Sequence, residues 1–563
     1  MLNMQNFKMK LVSPLEKVFL DREPANTLTK EDLMMLKNET LSFQLSHTCE
    51  PVIKEGQNWA RDYEFGIINV QSPIKDRVHV RRVAMVPALY PCPVIHDDNY
   101  ISTKPGLFPD LLEEIEDGNV EVLGNKWVTL WVDVTVDETL PAGEYDIRFT
   151  LTEKFTGTEL CGQSVTIQVL DAVLPPQQLI HTEWFHTDCL ADYYGVEVFG
   201  ERHWEIIGNF IDACVKYDIN MILTPLFTPA LDTGIGLERT TTQLIDVTLS
   251  NGEYSFGFEK LHRWVSMCLE KGVKYFEMSH LYSQWGAKYA PKVMATVDGE
   301  YKKLFGWETS ATSCEYKTFL RAFLPQLTKQ LEQLGIADIT YFHISDEPTL
   351  DQLDDYRKAK TQIEDLLQNY KFIDALSNID FYKTGTIQKP IPGTEHVKDF
   401  LDENLEGLWV YYCGDAGLNN SARLTAMPSA RNRILGTQLY KFDIEGFLHW
   451  GFNFYNSQAS IRKINPFYET SSGYAFTSGD AYLVYPGRDG KPLGSIRLMV
   501  FFHGLQDLRA LRLLESLTSR EYVLGIIEED LDKPLEFNVF PKEPEYLLAL
   551  RRKIYVNIKG GTA

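Results

Sequence analysis

The chain has 563 residues, of which 44% are apolar, 12% aromatic and 24% charged, an ordinary composition for a folded protein with room for more than one core. Lys and Arg number 55 and Asp and Glu 78, a formal charge of −23, which disfavours binding to phosphate backbones and says little about neutral ligands such as sugars. No apolar run reaches membrane-spanning length, the amino terminus lacks the apolar centre of a secretory signal, and the eight scattered cysteines form no CxxC pair, so the expected setting is a reducing cytoplasm.

The first third reads as β structure. Val128, Leu130, Val132, Val134 and Val136 recur at period two. A turn follows at Pro141-Ala142-Gly143, and Tyr145, Ile147, Phe149 and Leu151 resume the alternation. Shorter runs at 42–45, 78–86 and 164–170 add strands, and a β-sandwich over residues 1–172 is predicted. Leu174-Pro175-Pro176-Gln177-Gln178 reads as a linker.

From 179 to 520, short apolar runs alternate with amphipathic helices. The runs are 181–186, 220–226, 274–280, 339–345, 372–378, 407–413, 446–454 and 481–485. Trp204, Ile207, Ile211 and Cys214 share one helix face, and further helices are predicted over 258–272 and 315–334. Thr349 reads as an N-cap with Gln352 at the third helical position. Strand and helix in alternation imply a parallel sheet, and eight units suggest a (β/α)8 TIM-like barrel. An open doubly wound sheet is the alternative, weakened because no Gly-rich phosphate loop follows any strand. Asn251-Gly252 marks a hairpin within 243–258, and 282–313 is a long connection of the kind that shapes a binding face. The tail, 521–563, is expected to form a small strand-poor cap on the barrel.

The sharpest local feature is His343-Ile344-Ser345-Asp346-Glu347-Pro348, two adjacent carboxylates where a strand ends and a helix is about to begin. The plain reading is two acids favoured by a helix N-terminus. The catalytic reading has its own constraint. Retaining glycosidases that use two carboxyls hold them about 5 Å apart on opposite sides of the anomeric carbon. Adjacent residues, with Cα atoms about 3.8 Å apart, do not readily straddle a sugar ring. They suit a different division of labour. Glu347 would protonate the leaving oxygen, and Asp346 would accept the N–H of a 2-acetamido group whose carbonyl oxygen attacks the anomeric carbon. The substrate then supplies the nucleophile, through an oxazolinium intermediate.

The sequence resembles glycoside hydrolase family 123, the β-N-acetylgalactosaminidases. The resemblance rests on four segments in order: Ser345-Asp346-Glu347-Pro348, the run 448–456 with Trp450-Gly451-Phe452-Asn453, the run 479–487 with Asp480-Ala481-Tyr482, and Ser495-Ile496-Arg497 followed by Gly504-Leu505-Gln506-Asp507. A β-rich domain before a barrel matches the family's layout. The resemblance implies hydrolysis of terminal β-linked N-acetylgalactosamine with retention, with Glu347 as acid/base and Asp346 orienting the acetamide. No cofactor and no metal are expected. Small glycans or glycosides are the expected substrates, with no nucleic-acid or membrane partner, and the oligomeric state stays open.

Further candidates line up with strand ends. Trp450 and Tyr455 could stack on the sugar, while Asn453 and Asp480 could bind hydroxyls. Tyr482 lies beside Asp480, and Tyr412 is the expected donor to the acetamide oxygen. Asn378 is a ligand or a turn residue, and His280 and Trp285 could line the pocket. Three other functions stay in view. One is a metal-dependent hydrolase built on His186, Asp188, His280 and His343, at spacings that match no metal motif. The second is a silent carbohydrate-binding protein. The third is an N-acetylglucosaminidase of the same mechanism.

Overall fold

The structure, a computed structural model, describes residues 4–51, 63–414 and 418–561. The chain divides into two units, one of residues 1–177, 421–441 and 493–563 and the other of 178–420 and 442–492.

The first unit holds two five-stranded sheets. One runs in the order Met4–Val12, Thr40–Pro51, Val128–Thr135, Val78–Ala88, Gly106–Glu114, all antiparallel. The other runs Met34–Lys37, Glu159–Val173, Gly143–Glu153, Tyr63–Gln71, Asn119–Leu123, with a single parallel pair at its first edge. The period-two residues form the shared core: Leu130, Val132 and Val134 meet Ile147, Phe149 and Leu151 from the facing sheet. Phe43 and Phe149 lie edge to face with ring centres 5.9 Å apart.

The tail does not follow the expected linear division into 1–172, 179–520 and 521–563. Residues 493–561 join the β-rich unit, and 421–441 join it too. Helix Ile496–Leu517 is apolar or internally paired almost all round, the mark of a helix buried on every face. Its Arg497 pairs with buried Asp110 at 2.9 Å, and Asp507 takes Arg433 at 2.6 Å. A Cβ on Gly436, in the helix Leu435–Lys441, would sit 1.8 Å from the Gly504 carbonyl, so only glycine lets that helix approach Ile496–Leu517. The last helix, Pro544–Gly561, anchors within the β-rich unit, through Arg551 on Glu39 and Arg552 on Asp32.

The second unit is a parallel eight-stranded TIM-like barrel. In chain order its strands are Ile180–Glu183, Met221–Thr224, Tyr275–Met278, Thr340–Phe342, Lys371–Ala375, Lys389–Ile391, Trp409–Tyr411 and Gly446–His449. Thr394 N to Tyr411 O at 2.9 Å and Tyr411 N to Pro392 O at 3.1 Å join the sixth and seventh strands. Ile180, Met221, Leu223, Tyr341, Ile373, Ile391, Trp409 and Leu448 belong to one buried cluster drawn from the strands.

Seven of the eight expected strands form. The eighth does not: 481–485 folds against the segment after the last strand, with Leu483 N on Phe452 O and Phe454 N on Ala481 O. It is apolar because it is buried there. The strand in its stead, Lys389–Ile391, is three residues long with Pro390 at its centre, which removes a ladder donor and hides the pattern. The hairpin around Asn251-Gly252 forms as expected. The long connection carries a second hairpin, Val293–Val297 with Glu300–Phe305, and the four strands make one sheet.

Candidate functional site

A pocket of about 160 Å³ opens where barrel strands end. Its lining includes Asp346, Glu347, Tyr411, Trp184, Trp450 and Asp480, together with Asp232, Gln284 and Trp285. Sites at strand C-terminal ends are the rule for this architecture.

The loop bearing the two acids is held from both sides. Trp285 N donates to Asp346 O at 2.8 Å and Glu347 N to Ala375 O at 3.0 Å. Ser345 Oγ donates to Ser283 O at 2.8 Å and accepts from Ala287 N at 3.1 Å, which pins the third loop to the fourth. Glu347, Trp285 and Asp232 have φ of 42°, 56° and 40°. Each non-glycine residue in that region costs about 1–3 kcal/mol, and persists where surrounding bonds over-determine it.

Tyr411 donates its hydroxyl to Glu347 Oε1 at 2.6 Å. Burial, then the Glu347 charge, pushes the Tyr411 phenol well above its usual range, so it stays a donor. Burial first, and then the neighbouring Glu347, also hold the Asp346 carboxyl well above the usual carboxylate range. His343 opposes that rise.

His343 sits in a buried polar frame. Its Nδ1 is 2.9 Å from Asp374 and its Nε2 2.5 Å from Glu277. Trp184 Nε1 also donates to Glu277 at 2.7 Å, and Tyr356 donates to Asp374. Burial alone would push the ring down, but the two carboxylates outweigh it and hold His343 up at about 10, an imidazolium. His280 stacks on it with ring centres 4.2 Å apart. Burial and the His343 charge push His280 well below its usual value, so it is neutral.

Of the other residues expected at the site, Trp450, Asp480 and Trp285 line the pocket. Trp450 Nε1 donates to Asp480 Oδ2 at 3.0 Å, and His449 Nε2 lies 3.4 Å from Asp480 Oδ1. Trp285 stands at 45% exposure.

Six do not line it. Tyr412 is one residue out of phase: Tyr411 belongs to the interior cluster, and Tyr412 packs on Phe447 and His449. Asn453 spends its amide on the backbone of His186, accepting from its N–H at 2.8 Å and donating to its carbonyl at 3.1 Å. Tyr455 donates to Val484 O and Tyr482 to Pro466 O, both buried. Asn378 is a turn residue, its Oδ1 accepting from Asp380 N at 2.9 Å. His280 lies beneath the pocket wall against Trp184 and His343. The Trp-Gly-Phe-Asn run therefore mainly clamps loops. A Cβ on Gly451 would lie 2.6 Å from Ala481 O, so glycine lets the Asp480 loop close on Trp450.

The four metal-ligand candidates do not converge. His186 and Asp188 are both committed to Arg239, at 3.0 and 2.6 Å. His280 and His343 instead meet Asp374 with ligand atoms within 4.8 Å. His343 there is a cation with both nitrogens on carboxylates, and an imidazolium offers no lone pair to a metal.

The sequence reading missed Tyr411, Trp184, Asp232 and Gln284. Tyr411 had a signal, the strand alternation that sets it opposite Tyr412 in facing.

The model of the glycoside hydrolase 123 catalytic domain matches residues 184–514. The chain belongs to glycoside hydrolase family 123. A family 123 glycoside hydrolase from Clostridium perfringens, whose structural analysis addresses glycolipid glycan hydrolysis, shares the fold at a TM-score of 0.74 and 14% identity, over 99% of this chain and 98% of that one. β-Glucuronidases of Ruminococcus gnavus (TM-score 0.31, 11% identity, 88% of this chain and 68% of that) and Bacteroides uniformis (0.28, 10%, 81% and 48%) are more distant. No curated protein sequence matches this chain. No helix among the described residues is long and apolar enough to cross a membrane.

Proposed function

We propose that this family 123 glycosidase removes terminal β-linked N-acetylgalactosamine with retention, the sugar's own acetamide acting as nucleophile. The observation that carries the reading is the pair Asp346 and Glu347 on one pocket, Glu347 further bonded by Tyr411.

Two adjacent half-buried carboxyls do not both ionise readily, because each charge raises the other's pKa, so one proton between them is favoured. In the free protein, burial favours that proton on Asp346. An acetamide N–H aimed at Asp346 stabilises its ionised form and drives the proton to Glu347. Substrate binding thus arms the acid. Glu347 protonates the leaving oxygen as the acetamide oxygen closes on the anomeric carbon. Once the aglycone leaves, Glu347 takes a proton from water, which opens the oxazolinium on the same face and restores the β configuration. Trp184 and Trp450 supply apolar walls, and Asp480, fixed by Trp450, accepts a ring hydroxyl. The pocket is smaller than the roughly 300–1,000 Å³ of sites that engulf drug-sized ligands, which suits one terminal ring.

Aryl β-glycosides varied only at C2 and C4 test the proposal. Hydrolysis should require the 2-acetamido group and favour the axial 4-hydroxyl. Equal rates with a plain 2-hydroxyl would refute participation, and preference for the equatorial epimer would reassign the substrate to N-acetylglucosamine.

A further inference from the structure

Gln284 carries a polar group that the protein leaves unused. The side chain is 4% exposed and lines the pocket. Its carbonyl oxygen accepts the backbone N–H of Asp232, which fixes the amide, since only oxygen can accept there. The amide nitrogen, Nε2, has no hydrogen-bond partner. A buried donor left unmade is costly, and at a pocket wall it is explained by a ligand acceptor.

Asp232 stands beside it on the same pocket. Its backbone is held left-handed, with Ala459 N on Oδ2 at 3.1 Å and Ser460 Oγ on the main-chain carbonyl at 2.7 Å. Its Oδ1 makes no hydrogen bond among the described residues. Burial raises the Asp232 carboxyl to about 6, so it is mostly an anionic acceptor at neutral pH. One wall of the pocket therefore presents a fixed donor next to an acceptor. A hydroxyl, which gives one hydrogen and accepts another, is the group that matches both.

We infer that Asp232 and Gln284 form a hydroxyl clamp that selects the sugar: Asp232 Oδ1 accepts from a ring hydroxyl, and Gln284 Nε2 donates to the same or the adjacent oxygen. The inference rests on the reading that the pocket holds the sugar cleaved at Glu347. It assigns specificity to two loops that follow the second and third barrel strands, on the pocket that also holds the acid pair.

Calorimetric binding of free N-acetylgalactosamine and its 3-, 4- and 6-deoxy analogues to the full chain tests the clamp without needing turnover. Gln284→Ala should weaken the parent sugar about tenfold. One deoxy analogue should bind wild type and variant alike, because its missing hydroxyl is the one clamped. Gln284→Glu keeps an oxygen for Asp232 N–H and removes the donor, so it should repeat the pattern even if the alanine variant melts early. Equal weakening of all four sugars, no weakening, or failure of the wild type to bind any of them would overturn the clamp. Hydrolysis of the aryl 2-acetamido-β-glycoside is measured in parallel. Its absence alongside an intact binding pattern would sink the catalytic reading and leave the clamp standing.

Discussion

Tyr411 and Glu347 are joined across the barrel mouth, the tyrosine hydroxyl donating to Oε1 at 2.6 Å from the end of the seventh strand. The bond orients the acid that the proposed mechanism uses twice. A hydrogen bond to a charged group contributes about 1.5–3 kcal/mol, which corresponds to about 10–100-fold in rate. Tyr411→Phe should lower kcat by that factor with KM little changed. Tyr412→Phe should leave both within about twofold, because its ring packs away from the pocket. Steady-state kinetics on an aryl glycoside decide it, and a fully active Tyr411→Phe would remove the tyrosine from the mechanism.

The acids should separate by leaving group. Glu347→Gln should lower hydrolysis of alkyl glycosides by about 10²–10⁴-fold and spare aryl glycosides more, since a good leaving group needs less protonation. Asp346→Asn should impair both, because it disturbs attack by the acetamide rather than departure of the aglycone. A thiazoline analogue of the intermediate should inhibit competitively, since it resembles the species the site stabilises. Matching losses on both substrate types for both variants would contradict this division of roles.

Much of this was legible in the residues. Period-two runs such as Val128 to Val136 mark a strand whose apolar face enters the sandwich core, and the acid pair marks itself by sitting between a strand and a capped helix. What was not legible has physical causes. Pro390 breaks the pattern of the sixth strand, and 481–485 is apolar through burial in a loop. Asp298-Gly299, both at positive φ, is a hairpin signal inside the long connection that the reading passed over. Asn453 and Tyr482 belong to recognisable segments, yet their polar atoms serve backbone of the same unit. Sequence adjacency to a pocket residue does not say which way a side chain faces. Gln284 shows the reverse case, since nothing local distinguishes it and only the Asp232 N–H that fixes its oxygen leaves the nitrogen free for the pocket.

The buried cation His343 gives a pH test. Its groups in contact are Glu277, Asp374 and the neutral His280, with Asp346 also within its field. The folded pKa of about 10 lies above the unfolded value of roughly 6.5. The stability it contributes is therefore fully present below about pH 6.5 and lost as pH rises through 10. Thermal melts of the wild type should fall over that window. His343→Gln should cost about 3–5 kcal/mol near neutrality, because it strands two buried carboxylates, and should flatten the alkaline decline. It also removes the charge that opposes the rise of Asp346, so the acid limb of any residual activity should move to higher pH. A wild-type melting temperature that does not fall between pH 7 and 10 would rule out the imidazolium.

Asn453 separates a structural role from a sugar-binding one. Its amide satisfies both the N–H and the carbonyl of His186, a residue that lines the pocket and whose imidazole bonds the Trp450 carbonyl at 2.8 Å. Burial first, then the Arg239 charge, pushes His186 down to about 3, so the ring is neutral and can accept from Arg239 at Nδ1 while donating at Nε2. Asn453→Ala leaves two buried main-chain groups without partners, each worth about 1–3 kcal/mol. The variant should unfold at lower denaturant and lower temperature. Because the loss falls on the scaffold rather than on a hydroxyl, the ratio of rates between the C4 epimers should stay as in the wild type. An Asn453→Ala protein that melts normally but has lost its epimer preference would restore Asn453 to the sugar site.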